Sequence, residues 1–158
     1  MRRIVKGAAT VLKWGTLGST LGFVACVLIQ IYARLLLETA PSWTEEAARL
    51  FFVLSIGFAA GLALRSDYYV YFDFFYARMR PGGQRVLNWL IDGLTTALFL
   101  LFLYHALRFS WMGLAERSPS LKFPMAIAFV SMVILSLSVL IFVLERLLKR
   151  WTAETTRP

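Results

Sequence analysis

The chain has 158 residues, 59% of them hydrophobic and only 16% charged, with a mean hydropathy of +0.67. A soluble domain of that size has too little interior to hide so much apolar surface, so the composition excludes one and indicates a membrane protein. The single cysteine, Cys26, excludes an internal disulfide and the chemistry of paired cysteines, and the net charge of +8 is explained below by its placement rather than by nucleic acid.

The spacing predicts an all-α integral membrane protein of one domain, with four transmembrane helices and an amphipathic interfacial helix between the second and third. The first spanning helix is expected over about 12–35, built on the uncharged run Trp14 to Ala33. That run is long enough to cross about 30 Å of hydrocarbon. The opening "MRRIVKG" has the charge of a signal-peptide start. The apolar run behind it is too long and lacks a small-residue cleavage site, so it is read as a retained helix.

Pro41 marks the turn into the second helix, expected over about 43–65. Ser42, Trp43, Thr44 and Glu45 have the pattern of a capping box. In it Ser42 accepts from the third backbone N–H while Glu45 reaches back to the Ser42 N–H. Glu46 and Arg49, three apart, are positioned to pair, with Arg34 approaching from the first helix. Gly57 and Gly61 lie four apart on one face, the spacing that lets another helix approach closely.

Seven of the eleven residues from Asp67 to Ala77 are Tyr or Phe. Read as a helix over about 67–80, Tyr68, Phe72, Phe75, Tyr76 and Met79 share a broad face, while Asp67, Asp73, Arg78 and Arg80 fall outside it. Such a segment suits the membrane interface, with Pro81, Gly82 and Gly83 ending it. An irregular loop carrying an aromatic belt is the alternative. The third helix is expected over about 84–112 and carries Asp92, read as a packing or partner-facing contact or, alternatively, as a proton relay. The fourth is expected over about 121–149, with Glu145, Arg146, Lys149 and Arg150 at its exit and a loose tail over 151–158.

Lys and Arg are distributed four before the first helix, two, four and three in the successive connections, and four after the last helix. The termini and the middle connection thus hold twelve against five, which by the positive-inside bias predicts both termini in the cytoplasm. The chemistry is sparse. The only histidine, His105, is read as an interfacial residue; no metal-ligand spacing, phosphate loop or nucleophile elbow is present, and no enzyme or cofactor is expected.

Four features in order resemble the small membrane subunit, the DctQ-like family, of tripartite ATP-independent periplasmic transporters. They are Arg34 followed by "APSWTEEAAR", the glycine-bearing second helix running into "ALRSDYYVYFDFF", the "RPGGQR" turn, and "SPSLKFP" before the fourth helix. The resemblance covers about 14–148. Tyr69 stands where the family often has histidine, and an early proline in the fourth helix is absent.

The resemblance implies an auxiliary scaffold subunit of the bacterial inner membrane, pairing with a large DctM-like subunit that carries the sodium and substrate sites and moves as an elevator. A periplasmic substrate-binding protein would supply an organic acid such as a dicarboxylate, sugar acid or sialic acid. On this reading Arg34, Trp43, Glu46, Arg49, Tyr68, Phe72, Asp73, Phe75, Tyr76 and Asp92 serve subunit or lipid interfaces, and Ser42 and Glu45 cap a helix. Arg117 and Lys122 are positioned either to touch the binding protein or simply to solvate their loop. The competing function is a self-sufficient oligomeric exporter coupled to protons through Asp92.

Overall fold

The computed structural model describes residues 2–36, 41–65 and 78–155. It contains four helices, α1 (Arg2–Leu36), α2 (Ser42–Arg65), α3 (Pro81–Met112) and α4 (Ala126–Thr155), each long and apolar enough to cross a membrane. Among the described residues there is no strand, only an isolated bridge between Arg117 and Pro124.

The helix ends depart from the expected ones for identifiable reasons. α1 begins at Arg2, because Val5, Ala9 and Leu12 repeat at i, i+4, i+7 and are buried, which anchors the charged opening as an added amphipathic stretch. α3 begins at Pro81 rather than after the two glycines, with the proline in the first turn, where its missing N–H has no intrahelical partner to lose. α4 begins at Ala126, five residues later than expected, because 113–125 folds on itself. The Ser118 N–H donates to the Phe123 carbonyl (2.9 Å), the Lys122 N–H to the Ser118 carbonyl (3.1 Å) and the Met125 N–H to the Glu116 carbonyl (3.0 Å). At its other end α4 runs on to Thr155, so residues 151–155 of the expected loose tail are helical. The aromatic segment falls almost entirely outside the described residues, and with it the assignments made for Tyr68, Phe72, Asp73, Phe75 and Tyr76.

The helices pack as an open row rather than a closed bundle. α1 lies on α2, α2 on α4 and α4 on α3, with α1 and α4 touching only slightly. α2 and α4 are thus central, and α1 and α3 flank them with much of their apolar circumference uncovered. The α2–α4 contact depends on the predicted glycine face. A Cβ at Gly57 would stand 2.6 Å from the Ser131 carbonyl oxygen, and one at Gly61 would stand 2.6 Å from Ser138 Cβ. Between α1 and α2 the arrangement is reciprocal. Phe58 and Phe51 of α2 press onto Gly15 and Gly22 of α1, each pair seven residues apart, so the rings fill the places where side chains are missing.

A buried apolar cluster lies at the end that holds both termini. Val5, Ala9 and Leu12 of α1, Leu64 of α2, and Val139, Phe142 and Val143 of α4 meet there.

All five tryptophans are exposed and lie toward helix ends: Trp14, Trp89 and Trp151 at the terminal end, Trp43 and Trp111 at the far end, where Tyr32 joins them. At 1.5 Å per residue, Trp14 to Tyr32 spans about 27 Å and Trp89 to Trp111 about 33 Å, which brackets the hydrocarbon thickness. Two aromatic girdles therefore mark the borders of the membrane.

Candidate functional site

Polar groups concentrate in two places, one at each end of the row. At the far end the Glu46 side chain leaves its own helix. Its Oε2 accepts hydrogen bonds from the backbone N–H of Leu121 (2.8 Å) and Ser120 (3.1 Å). One carboxylate oxygen thereby clasps the α3–α4 connection to the start of α2. An ionised acceptor suits this task because it has no proton to donate and bonds amides more strongly than a neutral oxygen does. The two sequence patterns "PSWTEE" and "SPSLKFP", separated by more than a helical hairpin, are joined by this contact.

This geometry corrects the expected pairing around the α2 start. Arg49 pairs with Glu45, not with Glu46, at 3.3 Å and i,i+4 spacing. The Ser42–Glu45 capping box does not form. Ser42 is already the first helical residue, and Thr44 closes the turn by donating its hydroxyl to the Pro41 carbonyl at 2.7 Å. Arg34 is exposed and makes no ion pair among the described residues, so the expected approach to Glu46 and Arg49 is absent. Trp43 is exposed at the girdle level. Arg117 and Lys122 are both exposed on the clasped connection, with Lys122 in the left-handed region at φ 53°.

At the terminal end, Asp92 of α3 is only 2% exposed. Its Oδ2 lies 2.9 Å from Arg150 Nη1 and its Oδ1 lies 3.7 Å from Arg146 Nη1, both on α4. Arg146 also donates from Nη2 to the Leu64 carbonyl near the end of α2, at 3.0 Å. One guanidinium therefore ties α2, α4 and, through Asp92, α3. Arg65 lies over the Phe142 ring, 5.9 Å from its centroid, and Lys149 pairs with Glu145 at 2.8 Å. Asp92 is engaged within its own chain, in the helix-packing half of the reading given for it. The α4 residues read as an ordinary charged exit are in fact its partners. The available signal was depth: in antiparallel neighbours an acid about three turns inside α3 reaches the same level as Arg146 and Arg150, which are four apart on one face of α4.

Between these ends the hydroxyls turn inward on their own helices. Ser131, Ser136 and Ser138 of α4 donate to the carbonyls of Ala128, Met132 and Leu135, and Thr95 and Thr96 of α3 donate to Ile91 and Asp92. No group of three or more metal-ligating side chains occurs among the described residues.

Four apolar helices, two aromatic girdles and polar groups spent on internal packing define a multi-pass helical membrane protein. The chain belongs to the family of the DctQ component of the tripartite ATP-independent periplasmic transporters, whose sequence profile matches residues 23–153. No curated relative matches the chain. It is therefore a component of a multi-part bacterial inner-membrane transporter.

Proposed function

We propose that this chain is the static brace of its transporter. It would hold a large DctM-like subunit at fixed depth and tilt, while that subunit carries the sodium and substrate sites and a periplasmic binding protein delivers an organic acid. The observation that carries this reading is the open row. α1 and α3 present long uncovered apolar faces, whereas the one buried carboxylate among the described residues is held by two arginines of the same chain. A row of helices widens a partner's footprint in the bilayer, and its internal ion contacts and close glycine packing make it stiff. The excess of basic residues at the terminal end supports a cytoplasmic location for both termini, with the Glu46 clasp on the periplasmic side.

There Arg117 and Lys122 offer exposed positive charge to a docking binding protein. The engagement of Asp92 by two guanidiniums favours this role over that of a self-sufficient exporter.

Co-expression with the large subunit tests the proposal. The two chains should co-purify, and uptake in proteoliposomes should require both chains and the binding protein. Substrate transport by this chain reconstituted alone would overturn it.

A further inference from the structure

Beside the Asp92 cluster, but on the other side of Arg65, lies a groove between α1 and α2 of about 470 Å³. Its lining is Lys6, Ala9, Thr10, Lys13, Leu62 and Arg65. Among the described residues, three cations and no acid face it. Lys6 and Lys13 make no ion pair among the described residues, and the Thr10 hydroxyl is already committed to the Lys6 carbonyl at 3.0 Å. The neighbouring recess on the α4 side differs, because Glu145 stands in it and Lys149 is paired there.

We infer that the α1–α2 groove binds the phosphodiester headgroup of an anionic phospholipid. Depth is the first argument. Trp14 marks the hydrocarbon border on α1, so Lys13 and Lys6, one and eight residues outside it, lie within the headgroup layer along about 10 Å of helix. Arg65 reaches the same level as the last residue of α2.

The second argument is shape. Ala9 and Leu62 give the groove an apolar wall, and the exposed Val11 and Trp14 continue apolar surface along α1 toward the hydrocarbon, a path suited to an acyl chain. The third is charge. A zwitterionic headgroup would bring an ammonium into a site that, among the described residues, has three cations and no acceptor carboxylate, whereas a net-negative headgroup brings none. Basic recesses between helices at a membrane surface select anionic lipids on these grounds. The groove is independent of the transport role and would act as a fixed lipid contact whichever large subunit the chain accompanies.

The test uses the full chain in nanodiscs made from equal phosphatidylglycerol and phosphatidylcholine, with retained lipid counted by native mass spectrometry. Wild type should retain phosphatidylglycerol preferentially. Each cation removed should lower that preference about five-fold, so K6Q/K13Q should lower it about 25-fold. K6R/K13R, which keeps charge and helix propensity, should retain it. Inorganic phosphate at millimolar concentration should not displace the lipid. An unchanged preference in K6Q/K13Q would overturn the inference. Displacement by phosphate would also overturn it, since the groove would then be a site for a soluble anion.

Discussion

Replacing Asp92 with alanine removes the only buried carboxylate among the described residues and strands two guanidiniums against α3. Breaking a fully buried ion pair by deleting one partner costs about 3–5 kcal/mol, chiefly because the remaining charge has lost both its partner and its water. Here the arginine side chains retain 23% and 30% exposure and the Arg146 contact is long at 3.7 Å, so part of that penalty is relieved. The expected loss is about 2–3 kcal/mol. At about 2–4 °C per kcal/mol for a chain of this length, the unfolding midpoint should fall by about 5–10 °C. Intrinsic tryptophan fluorescence in detergent is a suitable readout, because Trp89 stands one turn before Asp92 on α3.

The decisive form is a double-mutant cycle of Asp92→Asn with Arg150→Gln, which should give a coupling of about 1–3 kcal/mol. The apolar pair Asp92→Leu with Arg150→Met should recover part of the stability, since the closer of the two charges leaves with Asp92 while Arg146 loses its carboxylate but keeps its bond to the Leu64 carbonyl. Additive single effects within about 0.5 kcal/mol would show that the contact is not a crosslink.

Other expectations follow from the same contacts. Glu46→Ala should speed hydrogen exchange at the Ser120 and Leu121 amides and expose 113–125 to proteolysis, whereas Glu45→Ala should leave both unchanged; equal behaviour would remove the clasp. Gly57→Ala should destabilise by about 1–3 kcal/mol in thermal unfolding, because the added methyl meets backbone. Gly22→Ala should cost less, since the obstacle there is the Phe51 ring, and Gly18→Ala should be tolerated because nothing lies within 4 Å. Arg117→Glu with Lys122→Glu should depress binding-protein-dependent uptake while leaving co-purification with the large subunit intact.

Much of the fold was legible because hydropathy is a property of one segment at a time. The uncharged runs from Trp14 and Phe123 and the glycines at Gly57 and Gly61 announced helices and a close face without any knowledge of neighbours. Pairing was less legible. Glu46 at i and Arg49 at i+3 made as plausible a pair as Glu45 and Arg49 at i+4, and local spacing contains no information about a loop more than 70 residues away. Arg146 and Arg150 looked like an ordinary charged helix exit because their partner lies on another helix. The glycines of α1 were missed for a related reason: Gly15 and Gly22 are seven apart, and their meaning appears only when Phe58 and Phe51 are seen against them.

The sequence by itself therefore determined the solvent of this protein, the number of its crossings, the basic end and the family pattern. These depend on sums along the chain, and burying apolar side chains in lipid requires no particular neighbour. The tertiary structure decided which helices touch, that they form a row with two uncovered flanks, that Glu46 holds the connection before α4, and that Asp92 serves its own chain. Each of those depends on the depth and rotation of two segments at once. A difference of one residue turns a helical side chain by about 100°, enough to send adjacent glutamates to different partners.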